Sequence, residues 1–293
     1  ICEREAEVQK FIPIEYWNFF ADFKTQHKEI YSGKLMEIDQ QKVDLDHYHI
    51  QNEHQAGQLQ EDINAQTDIK ILKIEIKQQT RRAPAPYITS SLQQDAIRKL
   101  NMSARQVMRI AQQLYEGVEL GGKGNFGLIT YMRTDSTRVS NEALHFVREL
   151  IKQKYGPENL PAKPHFFGKK QKAQDAHEAV RPTYINDEFA PENIKRYLSR
   201  DQLRLYTLIW NRFVASQMKP AKFELTTILT GNKKYVFETK GEKNVFKGFL
   251  TVYQVEKDED AEELPDGNSK IPHKIAENDP VELQKLQTAQ EFT

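Results

Sequence analysis

Tyr131 and Arg133 stand two residues apart in the run Gly127-Leu128-Ile129-Thr130-Tyr131-Met132-Arg133-Thr134-Asp135-Ser136. On an extended chain, residues i and i+2 project to one face, which would aim the phenol and the guanidinium the same way. A phenol has an unperturbed pKa of about 10, so near neutral pH it is a weak nucleophile unless a cation stabilises the phenolate. A guanidinium supplies that cation and can also hold a phosphate through two parallel hydrogen bonds. Taken alone, the pair favours a plainer reading: a buried strand with a tyrosine corner, and an unrelated surface arginine.

A second group lies further on. His177-Glu178-Ala179-Val180-Arg181 opens like the zinc-protease pattern H-E-x-x-H, but its fifth residue is Arg. Zinc needs a second His one helical turn on, so a metalloprotease is excluded. What remains is a His and an Arg that could both face one phosphate. The same residues read equally well as a surface helix terminus with an internal salt bridge. Gly122-Lys123-Gly124-Asn125-Phe126-Gly127 matches G-x-G-x-x-G to the letter. A dinucleotide fingerprint needs a strand before it and a helix after it. Here a helix precedes and a short strand follows, so the glycines read as a flexible hairpin.

The elements that must position these groups follow from the rest of the 293 residues. Length allows two domains of ordinary size. No apolar run approaches the roughly 20 residues of a membrane span. The single cysteine, Cys2, excludes an internal disulfide and a Cys-rich zinc site, and fits a reducing, cytosolic setting. The chain starts without Met in a charged helical pattern and stops without a boundary signal, so we expect a piece of a longer polypeptide. Formal net charge is zero, yet Lys70 to Arg138 carries twelve positive side chains against five negative. That basic middle is a candidate phosphate-binding surface, although such runs usually form a solvated helix face.

Residues 1–11 read as helix, ended by Ile12-Pro13. Trp17, Phe19, Ala21 and Phe23 alternate as a strand, with a second strand around Leu35–Ile38. Asn52 and Gln55 resemble a capping box before Ala56, Leu59 and Ile63 at helical spacing. Ile69, Ile71, Ile74 and Ile76 mark another strand. Arg81-Arg82-Ala83-Pro84-Ala85-Pro86 breaks the pattern and sets a domain boundary. Leu92–Leu100, a turn at 101–103 and Ala104–Glu116 give a helix-turn-helix outline, with Ser103 as N-cap and Gly117 as a left-handed C-terminal residue. Ser140 caps a further helix, and residues 158–176 read as a loop. Ser199 with Gln202 forms a capping box before the stripe Leu203, Tyr206, Ile209, Trp210 and Phe213. Phe223–Leu229, Tyr235–Thr239 and Val245–Tyr253 read as antiparallel strands, with turns at Gly231-Asn232 and Gly241. The expected fold class is α+β multidomain: a discontinuous antiparallel β-rich domain with an inserted, mostly α, winged-helix-like domain.

These motifs together resemble one family. Gly127–Ser140 resembles the tyrosine motif of the bacterial type IA DNA topoisomerases. Ala176-His177-Glu178-Ala179-Val180-Arg181-Pro182-Thr183 resembles that family's second motif, with Asp175 where Glu is common. Pro86-Tyr87-Ile88-Thr89-Ser90-Ser91-Leu92-Gln93-Gln94 resembles its Pro-aromatic-x-Thr-Ser-x-Leu-Gln-Gln segment. Ile1-Cys2-Glu3-Arg4-Glu5, Phe246-Lys247-Gly248-Phe249 and the end at Ala289-Gln290-Glu291-Phe292-Thr293 also fit, in the right order. Met132 followed by Arg-Thr-Asp-Ser-Thr favours the bacterial topoisomerase I branch over topoisomerase III.

The resemblance implies roles. Tyr131 would be the nucleophile that cuts one DNA strand and keeps the 5′-phosphate. Arg133 would stabilise the phenolate and the pentacoordinate phosphate. His177 would contact the scissile region. Arg181, Asp135, Thr130, Gln93 and Gln94 would be DNA-binding positions. It implies domains at 1–16 (a stub of the gate-supporting domain), 17–86 with 219–293 (the β-rich hinge) and 87–218 (the helical domain carrying the tyrosine). Mg²⁺ would bind a preceding Toprim domain, with no metal ligand or cofactor in this chain. Partners would be DNA, preferentially single-stranded, and the missing domains of the same polypeptide, with no membrane, in a monomer at the bacterial nucleoid in the cytoplasm. The full enzyme would relax negative supercoils by strand passage; the isolated chain would not. Two rivals stand beside this: a non-catalytic DNA reader built on the helix-turn-helix, and a tyrosine recombinase or type IB enzyme. The latter is disfavoured because there the His/Arg cluster precedes the tyrosine.

Overall fold

Alternation builds the β-rich part of the molecule. A computed structural model describes residues 4–5, 10–167, 177–254 and 271–293. Most of the helix expected at 1–11 and the end of the loop expected at 158–176 lie outside the described residues. The described chain divides into two compact units: one within 1–79, 223–243 and 258–293, the other within 80–222 and 244–257.

In the first unit, β1 (Glu15–Thr25) buries Phe19, Ala21 and Phe23 on one face. β2 (Ile30–Ile38) pairs with it antiparallel, setting Phe23 against Tyr31 and Ala21 against Gly33. The two-residue β3 (Gln41–Lys42) turns back and pairs antiparallel with the end of β2. With β4 (Lys70–Arg81), β7 (Ala221–Gly231), β8 (Tyr235–Phe246) and β9 (Val281–Phe292), the sheet runs β4-β7-β8-β2-β1-β9. The two ends of that order meet. Lys70 bridges Pro280, the Ile71 amide donates to the Asp279 carbonyl (2.9 Å), and the Val281 amide donates to the Ile69 carbonyl (3.1 Å). Such closure removes edge groups that would otherwise stay unpaired. The helix α1 (Glu53–Asn64) adds Ala56 and Ile63 to a core of Phe19, Phe23, Tyr31, Ile71, Ile228 and Phe237. Its start is the one expected: the Asn52 side chain accepts from the Gln55 amide at 3.0 Å.

The turn at Gly231-Asn232 has a local cause. Gly231 sits at φ +154°, and a β-carbon there would fall 1.9 Å from the Tyr235 carbonyl oxygen. The Asn232 side chain then accepts from the amides of Lys234 and Tyr235, both at 2.9 Å. The expected turn at Gly241 does not exist. Gly241 is interior to β8, where a β-carbon would lie 2.1 Å from the Ile271 side chain. The strand expected at 245–253 is also corrected: β8 ends at Phe246, and Gly248–Thr251 is a 3₁₀ turn in the second unit.

The second unit is helical. α2 (Thr89–Leu100) and α3 (Ala104–Glu116) are joined by a three-residue turn. Asn101 there takes the left-handed conformation, φ 55° and ψ 44°, and Ser103 caps α3 by accepting from the Gln106 amide at 3.2 Å. Gly117 has φ +131° and ψ 150°, so it is not the left-handed residue expected. A short hairpin, β5 (Val118–Glu119) with β6 (Asn125–Phe126), follows. α4 (Asn141–Tyr155) starts at Ser140, which accepts from the Ala143 amide at 3.3 Å. α5 (Pro191–Ile194) is a single turn, and α6 (Arg200–Ser216) begins with the full Ser199/Gln202 capping box. Leu205, Tyr206, Ile209, Trp210 and Phe213 of α6 are buried with Val107, Ile110, Ala111 and Leu114 of α3. Among the described residues the fold is therefore a mixed α/β one with an antiparallel sheet and six α-helices. Among the described residues no helix is long and apolar enough to cross a membrane.

Candidate active site

The segment that carries Tyr131 is seated on the end of α3. A β-carbon at Gly127 would lie 2.7 Å from the Tyr115 carbonyl oxygen, so only glycine allows this approach. The next amide, of Leu128, donates to the Leu114 carbonyl at 2.7 Å. Leu128, Ile129 and Met132 then point into the core.

The stretch after His177 is extended, not helical. Ile129 bridges Pro182, the Thr183 amide donates to the Leu128 carbonyl (3.0 Å), and the Thr130 amide donates to the Arg181 carbonyl (3.0 Å). The Thr130 hydroxyl donates to the Ala179 carbonyl at 2.7 Å and accepts from the Arg181 amide at 3.0 Å. The Ala179 amide donates to the Arg138 carbonyl at 2.9 Å, and Val180 donates to the Tyr87 carbonyl at 2.8 Å. Three stretches distant in sequence are thereby laced together. The polar run Thr134-Asp135-Ser136-Thr137-Arg138 steps away through local side-chain bonds: the Ser136 amide to the Thr134 hydroxyl (3.0 Å), then the Arg138 amide to the Ser136 hydroxyl (3.2 Å).

This lacing brings Tyr131 and His177 together, with ring centroids 5.1 Å apart. Tyr115 also meets Tyr131 edge-on, with centroids 5.3 Å apart and an interplanar angle of 64°. Tyr131 is half-buried, and His177 is exposed. The chain bends at Met132–Arg133; Met132 is buried and Arg133 is exposed beyond it. Among the described residues Arg133 makes no hydrogen bond, ion pair or cation–π contact with Tyr131.

Arg181 differs from the expectation of a phosphate ligand. Its side chain is only 12% exposed and binds Glu178, with Nε 2.7 Å and Nη2 2.6 Å from the same carboxylate oxygen. Its Nη1 donates to the Pro182 carbonyl at 2.8 Å. The guanidinium is thus occupied within its own loop, and an extended backbone sets it apart from the helical His/Arg pair expected. Thr130 is likewise spent on the main chain. Asp135 and Gln94 are exposed, and Gln93 is half-buried.

Sequence reasoning missed the support of the Tyr87 segment. The Asp95 carboxylate accepts from the hydroxyls of Tyr87 (2.6 Å) and Tyr253, and from Arg212 Nη1 at 3.3 Å. Arg212 also donates to the Ala85 carbonyl at 2.6 Å and lies 4.7 Å over the Tyr87 ring. Burial disfavours the Asp95 charge, yet hydrogen bonds from Tyr253 and Tyr87, with the charges of Lys99 and Arg212, hold its carboxyl below the usual range. Burial, with the negative charge beside it, pushes the Tyr87 hydroxyl far up, so it stays a donor. Nothing local in the sequence marks this knot, because its members come from three separate segments, around Tyr87 and Asp95, at Arg212 and at Tyr253. Tyr115 was equally silent, as one tyrosine on an amphipathic helix.

The DNA topoisomerase family model matches residues 1–293, and the chain belongs to that family. Its relatives include DNA topoisomerase 1 of Rickettsia felis, 40% identical over 100% of this chain and 37% of the relative. DNA topoisomerase 1 of Xylella fastidiosa strain 9a5c is 43% identical over 100% of this chain and 36% of the relative. The chain thus spans little more than a third of the length of the curated relatives it matches. Full-length topoisomerase I of Thermotoga maritima has a similar structure, with a TM-score of 0.72 and 31% identity, covering 100% of this chain and 43% of that one.

Proposed function

We propose that this chain is the tyrosine-bearing part of a type IA topoisomerase, and that Tyr131 opens one DNA strand. The observation that carries the reading is the Tyr131 ring in contact with both His177 and Tyr115 on a cross-linked loop. In the step proposed, the Tyr131 oxygen gives up its proton to water and attacks a backbone phosphorus. A new phosphorus–oxygen bond forms, the bond to the 3′-oxygen breaks, and that oxygen leaves as a hydroxyl with a proton taken from water. The 5′-phosphate stays on Tyr131. The reverse step, with the 3′-hydroxyl attacking, reseals the strand after another has passed, so negative supercoils relax. Arg133, exposed and without a partner among the described residues, neutralises the charge gathering on the phosphate. His177 contacts the scissile region beside the phenol.

Asp135, Gln93 and Gln94 lie at the surface where a strand could reach them, while Arg181 and Thr130 hold the loops instead. Among the described residues no three His, Cys, Asp or Glu side chains converge as a metal site. Glu178, beside His177, is taken by Arg181. We propose that Mg²⁺ binds a domain outside this chain. The protein is read as a monomer acting on single-stranded DNA in the bacterial cytoplasm, and the chain by itself as inactive in relaxation. The test is plasmid relaxation by the full-length polypeptide carrying Tyr131→Phe. Abolished relaxation with an unchanged melting temperature supports the reading; relaxation at the wild-type rate removes Tyr131 as nucleophile and leaves a DNA reader built on α2 and α3.

A further inference from the structure

The Pro86–Gln94 segment stands out in the sequence, yet the proposed chemistry uses none of its side chains. Thr89, the first residue of α2, meets the Tyr131 loop at both sides of Arg133. Its amide donates to the Thr134 carbonyl at 2.9 Å. Its hydroxyl accepts from the Thr134 amide at 2.9 Å. The hydroxyl lies 2.8 Å from the Met132 carbonyl and 3.0 Å from that of Thr134. A hydroxyl has one proton to give. The Thr134 carbonyl already has the Thr89 amide, so the proton goes to Met132. One side chain therefore fixes the carbonyl before Arg133 and the amide after it. Two residues earlier, the Tyr87 carbonyl takes the Val180 amide at 2.8 Å, three residues past His177. Residues 87–89 tie the tyrosine loop and the histidine stretch to one point, and the Asp95 knot holds that point in place.

We propose that Thr89 is a positioning residue for strand cleavage: its hydroxyl aims Arg133 and, through Met132, Tyr131, without touching a reacting atom. This rests on the reading of Tyr131 as nucleophile. Thr89→Val keeps the shape and removes the hydroxyl, which leaves the Thr134 amide and the Met132 carbonyl without that partner. Small misplacement of reacting groups can slow a step by about 10²-fold.

The experiment uses the full-length polypeptide that carries this chain and a labelled single-stranded oligonucleotide. Cleavage rate at saturation, oligonucleotide Kd and melting temperature are measured for wild type, Thr89→Val, Thr89→Ser and Tyr131→Phe. The expected result is a saturated cleavage rate roughly 10–10²-fold lower in Thr89→Val, with Kd unchanged and the rate restored in Thr89→Ser. Should Thr89→Val not fold, Thr89→Ala replaces it in the same comparison. A wild-type rate in Thr89→Val overturns the proposal. So does a loss confined to Kd, which would make Thr89 a DNA contact, or a Thr89→Ser as slow as Thr89→Val, which would make the methyl group the cause. Cleavage by Tyr131→Phe instead overturns the nucleophile reading, and the proposal with it.

Discussion

Replacing Asp95 with Asn tests whether the buried knot holds the site's foundation. Asp95 and Arg212 side chains are 20% and 12% exposed, so the pair is screened only weakly. Breaking such a pair by removing one charge typically costs about 3–5 kcal/mol. Here Arg212 keeps the Ala85 carbonyl, the Tyr253 hydroxyl at 2.9 Å and the face of Tyr87, and Asn still offers one oxygen. The expected loss is therefore smaller, about 2–3 kcal/mol. That corresponds to a fall in melting temperature of roughly 5–10 °C for a unit of this size. The sign with pH follows from the depressed Asp95 carboxyl. A carboxylate favoured by the fold contributes stability above the unfolded-state pKa of about 3.9 and loses it as pH falls through the lower folded-state value. The gap between wild type and Asp95→Asn is thus widest near neutrality and closes in acid below about pH 4. Circular-dichroism melts at several pH values check both points. Melting temperatures within about 1 °C of each other at pH 7 would mean that the knot contributes nothing net.

Three further outcomes follow. Gly127→Ala puts a methyl group against the Tyr115 carbonyl, so the loop must shift; a loss of about 1–3 kcal/mol in a denaturant melt is expected. Arg133→Lys keeps the charge but not the planar fork, and in the full-length protein oligonucleotide cleavage should slow while the melting temperature stays put, since Arg133 is exposed. The chain as it stands should fold yet form little covalent adduct, and its binding to single-stranded oligonucleotide, read by fluorescence anisotropy, should weaken steeply with salt.

Local signals carried far, and long-range ones did not. Ser103, Ser140 and Ser199 announce their helices because a cap is a bond between near neighbours. Phe19, Ala21 and Phe23 announce β1 because one face is buried and the other is not. By contrast, β9 buries only Val281 fully, so its alternation is faint and the strand was not foreseen. Gly241 looked like a turn because glycine usually is one; its true reason is the Ile271 side chain, thirty residues away. His177–Arg181 has helical spacing, but pairing with Tyr87 and with 128–130 keeps it extended. Tyr131 and His177 each sit in a short motif that can be read locally, whereas the ties through Thr89, Asp95 and Arg212 become visible only once the chain is folded.

The central claim is that the Tyr131 oxygen becomes bonded to DNA phosphorus. The direct measurement is to trap the full-length protein on a single-stranded oligonucleotide by denaturation, digest both components, and locate the residual nucleotide by peptide mass spectrometry. The account predicts a phosphodiester on Tyr131, at the 5′ end of the cleaved strand, and none in Tyr131→Phe. A nucleotide attached to any other residue, or at a 3′ end, would contradict it.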